Sequence, residues 1–116
     1  MAKHITVGKL GESLAVKYFQ EKSYEILHHN WRQGNWEVDI IAKKNEVLHF
    51  IEVKTKTTDK YGYPEEEVSI SKIKFLISAA ECYVHLYPKW ERIQFDVLAI
   101  VLKPELSFFL IEDIYL

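Results

Sequence analysis

Three side chains near the middle of the chain have the types and spacing to handle phosphate chemistry: Asp39, Glu52 and Lys54. Glu52 and Lys54 stand two apart in "VLHFIEVKTKT" (47–57), which reads as a β-strand. Alternate side chains of a strand point to opposite faces, so these two point the same way. Their neighbours Leu48, Phe50, Ile51 and Val53 mark a strand meant for burial, where ions are costly unless they are partnered. Two carboxylates about 4 Å apart repel by about 4 kcal/mol at an effective dielectric of about 20. A divalent cation removes that repulsion, and hard oxygen ligands are what Mg²⁺ prefers. Water held beside such an ion is a nucleophile in waiting. Lys54, a compact and movable charge, suits holding that water or screening charge that develops on a phosphate.

The elements around these residues have to bring them together. "WEVDIIAKK" (36–44) alternates, with Trp36, Val38, Ile40 and Ala42 on one face and Glu37, Asp39 and Ile41 on the other. Lys44-Asn45 is predicted to turn the chain back into "EVLHFIEVKTK" (46–56). That turn sets Asp39 opposite Phe50 and diagonal to Glu52, whereas a turn centred one residue later sets Asp39 directly opposite Glu52. Either register gathers Asp39, Glu52 and Lys54 on one face, with Glu37 further along.

Before this hairpin, Val7, Leu10, Leu14, Ala15, Tyr18 and Phe19 recur at helical steps from Val7 to about Lys22, with Thr6 as the cap. Gly8 and Gly11 weaken that helix but permit a close neighbour. "YEILHHNWR" (24–32) is a first strand, ended by "QGN". Beyond the hairpin, residues 57–67 read as a polar, mobile loop. Ser69 or Ser71 then caps a second helix with an apolar stripe of Ile73, Ile77, Ala80, Val84 and Tyr87, stopped by Pro88. "RIQFDVLAIVL" (92–102) is apolar enough for a central strand, and "LSFFLIEDIYL" returns to pair with it. The order α-β-β-β-α-β-β predicts an α/β layered fold, a mixed sheet flanked by helices.

Composition bounds the function. A chain of 116 residues, 48% apolar and 28% charged, predicts one globular domain over 1–116. A net charge of −2, from 15 basic against 17 acidic residues, excludes a polycation that grips polyanions by bulk charge. Nucleic-acid binding would need a local basic patch or metal ions that neutralise phosphate. The single Cys82 can form neither an internal disulfide nor a zinc cluster, which fits a reducing cytoplasm. No segment approaches the roughly 20 apolar residues of a membrane span, so a cytoplasmic protein without a membrane partner is expected.

With these residues in place, the chain resembles a known group. Asp39, twelve residues, then Glu52-Val53-Lys54 is similar to the core of the PD-(D/E)xK nucleases, which share a restriction endonuclease-like fold. More closely, "GKLGESLAVKYF", "YEILHHNWR", "WEVDIIA", "FIEVKTKT", "VSISKIKFLISAAECYV" and "FDVLAIV" resemble, in order, the YraN-like family of that superfamily. The resemblance implies Asp39 and Glu52 as Mg or Mn ligands, the Val53 carbonyl as a further ligand, and Lys54 as the catalytic lysine. It also implies Glu12 as an extra acidic position near the metal. The implied activity is metal-dependent hydrolysis of phosphodiester bonds in DNA, selective for DNA structure as in the Holliday-junction resolvases, which the family resembles in fold. Lys56 stands where the family often has Arg, keeping charge but losing a bidentate phosphate grip. Val38 precedes Asp39 where the superfamily name has Pro, as is usual for the family, and Trp36 stands where a Gly commonly precedes the first acid.

Several residues admit two readings. Glu12 is either a ligand or a helix-start acid that favours the dipole. Lys56 and Lys72, with Lys60 and Lys74, either contact phosphates along a rim or form a solvated face. Tyr61, Tyr63 and Trp36 either stack bases or cover core edges. Glu37 is either an acid that supports the metal ligands or a solvent-facing strand residue. His28 and His29 read as structural, His49 and His85 as core or surface histidines, and Cys82 as off the helix stripe and unreactive. At the level of function, a nuclease competes with a catalytically inactive nucleic-acid-binding or protein-interaction module, and with an RNA-directed enzyme. Resolvase-like action on two strands would need a homodimer.

Overall fold

A computed structural model describes residues 6–58, 60 and 69–114. The elements are α1 (Val7–Glu21), β1 (Glu25–Gln33), β2 (Trp36–Lys44), β3 (Val47–Thr58), α2 (Ile70–Leu86), β4 (Ile93–Lys103) and β5 (Ser107–Ile111). The five strands form one mixed sheet in the order β1-β2-β3-β4-β5, antiparallel except for the parallel pair β3–β4. A parallel neighbour requires a long crossover, and α2 supplies it. The predicted α/β order is therefore the observed one. Tyr61 and Tyr63, and nearly all of the predicted loop at 57–67, lie outside the described residues.

Each helix covers one face of the sheet. Ala15 and Phe19 of α1 pack on Ile40, Ala42, Ile51, Leu98 and Ile100. Leu76, Ala79, Ala80 and Tyr83 of α2 pack on Val38, Ile41, Leu48 and Phe50. Thr6 Oγ1 caps α1 by accepting from the Lys9 N–H, and Ser69 Oγ caps α2 by accepting from the Lys72 N–H. Gly11 explains how α1 lies so close to β3: a Cβ there would come within 1.8 Å of Thr55 Oγ1.

Three local readings are corrected. The β2–β3 turn is Asn45-Glu46, with Lys44 paired to Val47 and both turn residues at positive φ, 51° and 64°. This is the mirror-image turn whose twist matches paired strands. The stripe of α2 runs through Ile73, Leu76, Ala79, Ala80 and Tyr83, while Tyr87 is exposed and Cys82 packs partly against the same cluster. A helix between a sheet and solvent buries a band about 100° wide, so Leu76 and Tyr83 win places that a four-residue ruler assigns to Ile77 and Val84.

The third correction concerns β2. Its side chains do not alternate throughout, since Val38 joins Ile41 on the α2 side while Ile40 and Ala42 face α1. The break falls at Asn30 and Asp39. Asn30 has φ 55°, and this pair is missing from a ladder that joins His29 to Ile40 and Trp31 to Val38. A left-handed residue inside a strand bends it and rotates the residues beyond the bend.

Candidate functional site

At Asp39, opposite the bend at Asn30, β2 also parts from β3. The β2–β3 ladder runs from Lys44↔Val47 to Ile40↔Ile51 and stops. Continued by one step, that register sets Asp39 across from Glu52, where the two strands have parted. Into the gap Asp39 sends a carboxylate whose Oδ2 accepts the Val53 N–H at 2.7 Å. In a strand the N–H and C=O of one residue face the same flank. The Val53 carbonyl is therefore turned toward the same gap.

β3 itself is regular. Its pairing with β4 holds one register from Leu48↔Ile93 to Lys56↔Val101. Glu52, Lys54 and Lys56 thus share the α2-side face with Leu48 and Phe50. All three are half-buried. The first turns of α2 form the opposite wall, and Lys72 Nζ lies 3.5 Å from Glu52 Oε1. Glu37, Asp39, Glu52, Ser71, Lys72 and Phe75 line a cleft of about 430 Å³. One wall is acidic, and the other carries Lys72 and the positive end of a helix.

The electrostatics of Asp39 reflect this placement. Burial first, then the charge of Glu52, push its carboxyl from an ordinary 3.8 up to about 7. The Val53 N–H works in the other direction, and Glu12 and Glu37 add smaller upward pushes. Near neutral pH this carboxyl sits near its midpoint, and a positive charge beside it would favour the ionised form.

Glu12 stands beside this cleft and is engaged elsewhere. Its carboxylate accepts from Asn30 Nδ2 at 3.2 Å and lies 3.9 Å from His29 Nε2. Glu37 is exposed and sits 3.4 Å from Arg32 at the rim. Trp36 is half-buried and packs on Phe75, with ring centroids 5.1 Å apart. Among the described residues no three His, Cys, Asp or Glu side chains converge on one point. The donor set at the gap is two carboxylates and a backbone carbonyl. That set fits Mg²⁺ or Mn²⁺, since Mg²⁺ is commonly held by one or two carboxylates and keeps several waters.

Sequence reasoning missed Ser71 and Phe75 as lining residues. Their positions in the first turns of α2 were legible, but not which strand those turns would face. It also missed the pairing of His49 with Asp96, two residues 47 apart in sequence. No described helix is long and apolar enough to cross a membrane.

Comparison with known proteins places the chain among relatives. The family model described as "Uncharacterised protein family UPF0102" matches residues 11–100, a span that holds Glu12, Asp39, Glu52, Lys54, Lys56 and Lys72. A UPF0102 protein of Bacteroides thetaiotaomicron is 41% identical over 101 residues, covering 87% of this chain and 84% of that one. One from Chloroherpeton thalassium is 38% identical over 125 residues, covering 99% and 97%. One from Christiangramia forsetii is 43% identical over 101 residues, covering 87% and 85%.

Proposed function

We propose that this chain, which belongs to the uncharacterised protein family UPF0102, is a divalent-metal-dependent nuclease acting on DNA. The observation that carries the proposal is the convergence of Asp39 and Glu52 on the gap where β2 leaves β3, with the Asp39 carboxyl pushed up by burial and then by Glu52. Like charges gathered in a half-buried cleft favour a cation between them. Mg²⁺ or Mn²⁺ held by Asp39, Glu52 and the Val53 carbonyl would supply Lewis acidity and an acidified water.

The chain's own groups do the rest. Asp39 is held in one orientation by the Val53 N–H, which leaves its other oxygen to face the gap. Lys54, two residues beyond Glu52 on the same face, orients the attacking water and screens charge on the phosphoryl oxygens. Lys72 and the first turn of α2 offer positive charge where a phosphate would rest, and Lys56 extends that charge along the strand. Water adds across a P–O bond, leaving a phosphate monoester and a free hydroxyl. Action on both strands of a branched DNA needs two such sites, hence a homodimer.

The competing reading is a catalytically inactive module that binds nucleic acid or protein on the same fold. One observation favours it: Lys72 already partners Glu52, as a fixed substitute for a cation would. Cleavage assays with Mn²⁺ separate the two, using linear, flapped and four-way DNA beside matched RNA. The nuclease reading expects wild-type cleavage that falls by about 10²-fold or more in each of Asp39→Ala, Glu52→Ala and Lys54→Ala. Equal cleavage by all four proteins would defeat it. Cleavage confined to RNA would keep the chemistry and change the substrate.

A further inference from the structure

The sheet buries a second polar constellation that the first cleft does not use. Asp96 on β4 is fully buried and His49 on β3 is 5% exposed. His49 Nδ1 lies 2.6 Å from Asp96 Oδ2. In the tautomer that carries its hydrogen on Nδ1, the imidazole donates to this oxygen. The other oxygen, Oδ1, accepts from Gln94 Nε2 at 2.9 Å and from the Asp113 N–H at 3.0 Å. The Tyr24 ring packs edge-on against the imidazole, with centroids 5.0 Å apart. Gln94 and the Asp113 N–H hold one oxygen of Asp96, and the other holds the histidine ring.

The free end of that ring faces a cleft. Among the described residues His49 makes no second hydrogen bond, and no buried side-chain nitrogen or oxygen lacks a partner. Nε2 therefore reaches solvent. The space it meets is a cleft of about 350 Å³ lined also by Tyr24, Lys44, Arg92, Gln94 and Glu112. It shares no residue with the Asp39 cleft. The volume is of the order of small-molecule sites, roughly 300–1,000 Å³. Lys44 Nζ sits over the Tyr24 ring at 4.8 Å, and Arg92 makes no ion pair among the described residues. Two cations and an oriented imidazole thus line one cleft, with Glu112 the one carboxylate of the lining.

We propose that this cleft is a second ligand site, in which Lys44, Arg92 and His49 Nε2 bind the phosphate group of a phosphate monoester. With Nδ1–H given to Asp96, the imidazole accepts at Nε2 from a phosphate hydroxyl. Arg92 and Lys44 neutralise its charge, Arg92 in bidentate fashion. Glu112 accepts from hydroxyls on the organic part. This cleft is separate from the chemistry at Asp39, with which it shares no lining residue, and a purely structural His–Asp tie between β3 and β4 would need neither the cations nor the opening.

The test tracks the His49 ring nitrogens by NMR, in protein treated with EDTA, during titration with inorganic phosphate, ribose 5-phosphate, and a 5′-phosphorylated oligonucleotide beside its unphosphorylated form. Saturable movement of Nε2 is expected with a dissociation constant of about 1 mM or tighter for at least one phosphate monoester. The surface double variant Lys44→Gln/Arg92→Gln should weaken it at least tenfold while its amide spectrum elsewhere stays as in wild type. Which probe binds more tightly identifies a small sugar phosphate or a strand end as the source of the phosphate. A ring that stays still with every probe overturns the site. So does movement that is equal in the double variant, or equal with the unphosphorylated strand.

Discussion

Replacing Asp39 with Asn separates the charge of this residue from its shape. Asn keeps an oxygen for the Val53 N–H but can never carry the negative charge that burial and Glu52 oppose. In the folded protein the carboxyl titrates at about 7 against 3.8 in its ordinary state. The folded state therefore binds a proton that the unfolded state has already released, and the penalty grows as pH rises between these values. Below 3.8 both states are protonated and the penalty vanishes; above about 7 it is complete. That displacement corresponds to about 4 kcal/mol if all of it is charge energy, and water around a half-buried group reduces it to about 2–4 kcal/mol. Urea unfolding in EDTA, from pH 4 to pH 8, measures it. Asp39→Asn should match wild type at the acid end and exceed it by that amount at the alkaline end. A difference that does not change with pH, or an Asn variant that loses ground as pH rises, would refute the electrostatic argument.

The geometry predicts further outcomes. Gly11→Ala should cost about 1–3 kcal/mol in thermal unfolding despite its better helix propensity, because its Cβ meets Thr55; Gly8→Ala, with nothing within 4 Å, should gain about 0.5–1 kcal/mol. Glu46→Gly should raise the melting temperature through a gain of about 0.5–1 kcal/mol, since Glu46 sits at φ 64° and its ion pair with Lys43 is largely solvent-exposed. Lys72→Gln removes a cation 3.5 Å from Glu52 and should tighten Mn²⁺ affinity about two- to fivefold by calorimetry, the range expected of a solvent-exposed pair. Unchanged or weaker affinity would mean that Lys72 does not compete for that carboxylate.

Hydrophobic periodicity carried the order of elements because each helix and strand faces one layer of a sheet covered on both sides. Caps were legible for the same local reason: Thr6 and Ser69 each accept an N–H three residues on. The bend at Asn30 and Asp39 was not, because it depends on one left-handed residue opposite an unpaired acid, and regular alternation predicts a straight strand. That bend decides where the Asp39 carboxylate goes. The turn was misplaced by one residue because Asn45 suits either turn position, and the register that resulted was the other one weighed, with Asp39 across from Glu52. The His49–Asp96 pair had no local signal, since neither residue stands near the other until β3 and β4 lie side by side.

The central claim is that Asp39 and Glu52 hold a cation between them, and calorimetric titration with Mn²⁺ reads this without any substrate. Wild type should give a saturable heat that Asp39→Ala and Glu52→Ala each abolish, and that Lys54→Ala leaves in place. Absence of heat in wild type, or the same heat in both carboxylate variants, would contradict the account.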